Sequence, residues 1–211
     1  MSFEKKYVLE SYNQISSEFD NTRHTPWPSV KKFIIELQPN SSILDAGCGN
    51  GKNMLIRKDL NWIGCDFCPQ LLEICKKKSL NVLEADIKNL PFQDNYFDNC
   101  ICIAAVHHLS SFNDRVKACQ ELIRVTKSKG KILIQVWKDQ GLNNNKFKKI
   151  ENREEGDYLI SWTQDNKTVI QRFYHLYTDG EIDRLLSKLY GINVLDKYIE
   201  AGNWIFVLEK N

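Results

Sequence analysis

The sequence predicts an α/β fold built on a mostly parallel β-sheet, and three observations predict it. From Ser41 onward short apolar runs alternate with segments of helical period, the rhythm of repeated strand-helix-strand units. The run Ile43-Leu44-Asp45-Ala46 leads straight into the glycine-rich turn Gly47-Cys48-Gly49-Asn50-Gly51. Near the C-terminus the rhythm changes: 193–199 and 204–208 are strand-like and close enough to pair antiparallel, so a hairpin ends the sheet.

Taken in order, 4–19 places Tyr7, Tyr12, Ile15 and Phe19 near helical spacing, and 29–37 repeats that pattern after Pro26-Trp27-Pro28. Two helices therefore precede the core. Strands are expected at 42–46, 62–65, 81–85, 99–105 and 131–137, and helices at 70–77, 114–125 and 181–189. The glycine turn is expected to open a further helix. The polar stretch 138–156, with Asn143-Asn144-Asn145, carries no clear period and is expected to be an irregular surface insertion.

Composition narrows the class. The chain has 211 residues, room for one ordinary domain and no separate recognition domain. Its 29 Lys+Arg against 27 Asp+Glu give a net charge of +2, which excludes nucleic-acid binding by bulk charge alone and leaves a local basic face open. No apolar run reaches the roughly 18 residues of a membrane span, and the charged N-terminus does not resemble a signal peptide. A cytoplasmic protein is expected. The 7 cysteines are odd in number, and Cys65, Cys100 and Cys102 fall in apolar runs, so reduced thiols are expected. Cys65-Asp66-Phe67-Cys68 has CxxC spacing, but no second pair follows to complete four zinc ligands, and no metal is expected.

Glycines let a backbone approach a ligand closely, and a helix start there favours a negative group, so the turn after Ala46 points to a nucleotide-like cofactor. Dinucleotide folds use Gly-x-Gly-x-x-Gly, whose third glycine would fall on Lys52; Gly47-Cys48-Gly49-Asn50-Gly51 instead reads Gly-x-Gly-x-Gly. With Asp45 before it, the motif resembles that of class I S-adenosylmethionine-dependent methyltransferases. The resemblance continues in order with Asp66 at the end of the next strand, Asp86-Ile87 after the third, and 97–105 as the fourth. It implies a Rossmann-like, seven-stranded, mostly parallel sheet with helices on both faces. It also implies S-adenosylmethionine as cofactor, with Asp66 on the ribose hydroxyls, Asp86 and Ile87 at the adenine, and Tyr12, Arg23, Asp45, Gly47, Cys48, Gly49, Gly51, Phe67 and Ala104 around it. Cys48 is expected to act through its backbone N–H. In these terms 1–40 is an N-terminal helical cap, 41–137 the cofactor-binding core, 138–156 the insertion and 157–211 the remaining substrate-side segment and sheet.

Flanking segments narrow the resemblance further. Thr22-Arg23-His24-Thr25-Pro26-Trp27-Pro28, Val106-His107-His108-Leu109, Arg172-Phe173-Tyr174-His175-Leu176-Tyr177 and 202–210 resemble the eukaryotic tRNA wobble-uridine carboxymethyl methyltransferases over nearly the whole chain. These methylate the carboxylate of 5-carboxymethyluridine to its ester. A carboxylate with an intrinsic pKa near 4 is already the nucleophile, so no general base is expected, only positioning. Arg23 and Arg172 are candidates for holding a carboxylate, Arg172, Tyr174 and His175 being read as one face of an extended segment. His107 is a candidate for substrate positioning, and Trp27, His108, Trp137, Tyr174 and His175 for base or edge contact. Trp27 has a structural alternative as a clamp on the N-terminal helices.

A tRNA substrate requires cations, and Lys146, Lys148 and Lys149 in the insertion are the expected anticodon-loop contacts. The resemblance also implies a small zinc-binding activator subunit. Edge strand 81–85 has neither proline nor lysine to block strand addition, so the activator is expected to dock there. The competing readings are a small-molecule methyltransferase on the same core, a catalytically silent scaffold, and a nicotinamide oxidoreductase, the last disfavoured by the glycine spacing.

Overall fold

Residues on a strand alternate between two faces, and that period sorts the apolar runs of this chain into two cores. The computed structural model describes residues 2–141, 146–164 and 168–211. A π-helical turn, Lys5–Leu9, runs into α1 (Glu10–Thr22), and Pro28 supplies the first turn of α2 (Pro28–Ile35). Then come β1 (Ser42–Ala46), β2 (Asn61–Asp66), α3 (Pro69–Lys77), β3 (Val82–Glu84), β4 (Asn99–Ile103), α4 (Phe112–Val125) and β5 (Lys131–Trp137). After β6 (Phe147–Lys149), β7 (Asp157–Gln164) and β8 (Thr168–His175) come α5 (Asp179–Leu186) and the hairpin β9 (Ile192–Glu200) and β10 (Asn203–Lys210).

The main sheet has seven strands in the order β3-β2-β1-β4-β5-β10-β9, with β1 to β5 parallel and β10 antiparallel to both neighbours. Leu44, Cys100, Ile132 and Phe206 bury one face against α4 and α5. Ile43, Ile101, Leu133 and Ile205 bury the other against α2 and α3. β1 lies between β2 and β4, so the loops leaving β1 and β4 part at their C-terminal ends and open a crevice, the position where such sheets bind ligands.

The structure corrects several expectations. The glycine turn opens only a four-residue 3-10 turn, Lys52–Leu55, not a full helix. The fourth strand stops at Ile103 because Ala104 takes φ +56°, turning the chain into the short 3-10 segment Val106–His108. The stretch 138–156 is not wholly irregular: β6 within it joins β7 and β8 in a second, antiparallel sheet, β6-β7-β8. Asn143-Asn144-Asn145 lies outside the described residues. Ile170 and Phe173 of β8 pack on Val8, Tyr12 and Ile15, setting the second sheet against α1. This excursion from the core leaves and returns at one point, for Lys138 and Tyr177 form a parallel bridge and the Tyr177 N–H donates to the Trp137 carbonyl at 3.0 Å. Among the described residues no helix is long and apolar enough to cross a membrane.

Candidate functional site

The crevice at the ends of β1 and β4 deepens into a cavity of about 640 Å³ running from the glycine turn to the face of β8. At one end Gly47 and Gly51 both take φ +74°, and a Cβ on Gly47 would fall 2.3 Å from that of Ala105. The turn after β1 and the loop after β4 can meet this closely only with glycine at 47. The expected role of the turn's N–H groups is corrected: those of Gly47 and Cys48 donate to the Cys65 carbonyl at 2.8 and 2.9 Å, and that of Gly49 to Asp66 Oδ2 at 2.9 Å. Cys48 therefore does not offer its N–H to a ligand, although its side chain lines the cavity.

Asp66 also accepts from the Cys68 N–H at 2.9 Å through Oδ1. Burial pushes its carboxyl above the ordinary range, against the N–H donors that favour its charge. Phe67, Asp86 and Ile87 line the same end, with Asp86 exposed. Asp45 and Gly51 do not line it. Asp45 is buried beneath the turn with Asn53 3.5 Å away, and burial, with Asp66's charge nearby, pushes it up to about 7. Arg23 and Trp27 stand at the rim, where Lys52, which the sequence reading left out, lines the wall and donates to the Thr25 carbonyl at 3.3 Å. Its place directly after the last glycine was the available signal.

The other end is a chain of oriented hydrogen bonds. Arg172 donates to the Tyr174 hydroxyl at 2.8 Å, the Tyr174 and Tyr12 hydroxyls are hydrogen-bonded at 3.0 Å, and Tyr12 lies 3.0 Å from His108 Nε2. His108 Nδ1 is 2.7 Å from the Phe173 carbonyl, which can only accept. The proton therefore sits on Nδ1, Nε2 accepts from Tyr12, and Tyr12 accepts from Tyr174. Burial drives the His108 pKa down to about 3, with the Phe173 carbonyl opposing and Arg172 adding to the effect. His107 is fully buried and its Nδ1 accepts the Trp137 N–H at 3.2 Å, which leaves Nε2 carrying the proton. That Nε2 has no partner, and neither has Arg172 Nε. Tyr174 stacks on His107 at 4.9 Å and on Trp137 at 4.7 Å.

Of the sequence candidates, Tyr12, Arg23, Trp27, Ala104, His107, His108, Trp137, Arg172 and Tyr174 come together on this cavity. His175 does not. A strand has a period of two, so Arg172 and Tyr174 share a face while His175 points through the opposite one, to Asp157 and Glu181. Lys148 and Lys149 are exposed on β6, away from the wall, and Lys146 lies just before that strand. Trp162 was also missed: its ring lies between the guanidinium groups of Arg23 and Arg172, at 5.5 and 4.9 Å. All seven cysteines are buried free thiols, and the CxxC pair is divided, with Cys65 in the sheet core and Cys68 donating to Asn13 Oδ1 at 2.9 Å.

Residues 44–134 match the Methyltransferase domain family. Over 260 residues the chain is 32% identical to the tRNA (carboxymethyluridine(34)-5-O)-methyltransferase of Xenopus tropicalis, covering 99% of this chain and 41% of that protein. It spans less than half the length of this and several other curated relatives it matches. Against the protein of the same name from Schizosaccharomyces pombe it is 30% identical over 230 residues, covering 100% of this chain and 99% of the other. In fold it resembles a methyltransferase of Haloferax volcanii solved in complex with the Trm112 methyltransferase activator, with TM-score 0.67, 14% identity, and coverage of 97% of this chain and 98% of that one. With one relative matched almost end to end, and with the glycine turn and strand-end carboxylates in place, the chain belongs to the tRNA (carboxymethyluridine) methyltransferase family.

Proposed function

We propose that the chain works as one cytoplasmic methyltransferase domain that transfers a methyl group from S-adenosylmethionine to the carboxylate of 5-carboxymethyluridine in the tRNA anticodon loop, forming the methyl ester. The observation that carries this reading is the guanidinium of Arg172, which lines the cavity beside His107 and is fixed by its bond to the Tyr174 hydroxyl. A guanidinium fixed on a cavity wall suits a ligand rich in acceptor oxygens. A carboxylate beside a guanidinium is the best such match.

The opposite end fits the cofactor by the chemistry of its donors. Each Asp66 oxygen holds one N–H and keeps a lone pair for a vicinal diol. Asp86 and Ile87 stand where an adenine edge and face would be met, and Arg23 and Lys52 bring positive charge for an amino-acid carboxylate. When bound, S-adenosylmethionine supplies a methyl group on a sulfonium, already paired with a good leaving group. The protein's part is then orientation, which can supply roughly 7–11 kcal/mol of a barrier. His108 is no base, its Nε2 being occupied by Tyr12 and its pKa pushed to about 3. Instead Tyr12, Tyr174 and His108 fix Arg172, while Trp137 and Tyr174 offer ring faces to an unstacked uracil.

Trp27 at the rim and Lys146, Lys148 and Lys149 around β6 are the proposed contacts to the rest of the anticodon loop. A small zinc-binding activator is the proposed partner, docking on β3; a methyltransferase of the same fold has been solved with a methyltransferase activator. The test is incubation of the chain, with and without the activator, with S-adenosylmethionine and tRNA carrying 5-carboxymethyluridine, followed by nucleoside mass spectrometry. The methyl ester is expected, and its absence in both arms rejects the reading.

A further inference from the structure

Behind the substrate end of the cavity lies a group of charged side chains, none of which itself lines the wall. His175 is fully buried between two carboxylates, with Nδ1 2.7 Å from Asp157 Oδ1 and Nε2 2.6 Å from Glu181 Oε1. An ionised carboxylate only accepts, so both ring nitrogens donate and the imidazole is charged. Asp157 also holds Arg153 at 3.0 Å, and fully buried Arg115 bonds Glu154 and lies 3.4 Å from Glu181. Three cations then face three anions, and the balance closes only with His175 protonated. The donor atoms of Glu154, His175 and Glu181 lie within 4.8 Å of one another, as metal ligands would, but the guanidinium of Arg115 is the cation the two carboxylates hold.

The network grips both segments that form the wall. His175 directly follows Tyr174 on β8, and Arg115 and Arg153 donate to the Leu109 and Ser110 carbonyls at 3.1 and 2.8 Å, just past His107 and His108. Glu154 accepts the Phe112 N–H at 2.9 Å, fixing the start of α4 to the same group. We propose that His175, charged and clamped between Asp157 and Glu181, is a positioning residue: it sets β8 so that Arg172 and Tyr174 face the substrate in register with His107. This rests on the reading that the cavity's inner end receives the substrate.

The charge of His175 should persist to higher pH than that of an ordinary imidazole, because the Asp157 and Glu181 bonds outweigh the burial that opposes it, with Arg115 also opposing. The groups facing the ring are Asp157 from β7, Glu181 from α5, Arg115 from α4, Glu154 and Arg153 from the loop before β7, and Tyr177, whose ring lies 4.9 Å away. His107 feels that charge, which adds to burial and the neighbouring His108 in lowering its pKa.

The test compares wild type with His175→Gln, Glu181→Gln and the double variant, reading methyl-ester kinetics over pH, cofactor affinity, and histidine ring titration by NMR. His175→Gln is expected to lower kcat about 10–100-fold, the cost of a misplacement of about 1 Å, with cofactor Kd unchanged. Adding Glu181→Gln, which removes the one carboxylate then in excess of the cations, should recover part of the loss; additive losses would mark a packing role and overturn the proposal. In the wild type one histidine should stay protonated above pH 7, and a His175 ring neutral at pH 7 overturns it whether or not any variant folds. So does binding of one Zn²⁺ that raises the melting temperature of wild type and not of His175→Gln. An active wild type with an equally active His175→Gln rejects this inference and leaves the function standing. If the wild type forms no ester the function fails, and the inference is then decided by the His107 and His108 resonances, which must move in His175→Gln.

Discussion

Asp66 shows how one carboxylate can serve the fold and a ligand together. Both its oxygens already accept backbone N–H groups, so Asp66→Asn must turn an amide NH2 toward one of them. A donor facing a donor costs about 1–3 kcal/mol, and cofactor Kd should rise about 10–100-fold by calorimetric titration. Asp45 works in the opposite sense. Its folded pKa of about 7 lies above the unfolded value near 4, so the native state takes up a proton in that interval and this group costs stability at higher pH. Asp45→Asn should therefore stabilise the protein by about 1–3 kcal/mol in urea at pH 8, with the gain shrinking as pH falls from about 7 toward 4. Asp66, His107 and Arg172 were legible because residue type and motif position suffice to find them. The direction of His175 and the internal partners of the Cys48 N–H were not, since one depends on counting a strand's faces correctly and the other on a neighbouring strand's carbonyl.

At the scale of elements, strand 42–46 and the hairpin were legible because long apolar runs have few alternatives once helical segments flank them. β6 was not. Its Phe147-Lys148-Lys149 has one apolar residue, and pairing with β7 rather than its own pattern makes it a strand. The position of Lys148 and Lys149 on this exposed edge sharpens the RNA prediction: Lys148→Gln with Lys149→Gln should weaken tRNA binding and reduce the slope of log K against log salt by about 1–2, while an unchanged slope would place the RNA elsewhere. β3 is three residues long and, among the described residues, pairs only with β2, so its other edge carries no strand. Val82→Pro should abolish co-purification with the activator without changing the far-UV spectrum, and retained co-purification would move the docking site.

For the whole molecule, the near-neutral charge acquires a meaning in the way its ions are distributed. Behind the cavity Arg115, Arg153 and His175 are balanced by Glu154, Asp157 and Glu181, while Lys148 and Lys149 are exposed on β6. Because His175 is raised above its ordinary value, its contribution to stability is complete below about pH 6.5 and is lost as pH rises through the folded value. Thermal melts should therefore fall on the alkaline side in wild type, and His175→Gln should flatten that decline. The bridge between Lys138 and Tyr177 has a different consequence. Since the second sheet departs from the core and rejoins it at adjacent residues, closing that gap with a short turn would leave the seven-stranded sheet its connectivity. Connectivity alone would therefore let the excursion be removed, and what ties it to this core is its packing on α1 and its ion pairs with Arg115 and Glu181.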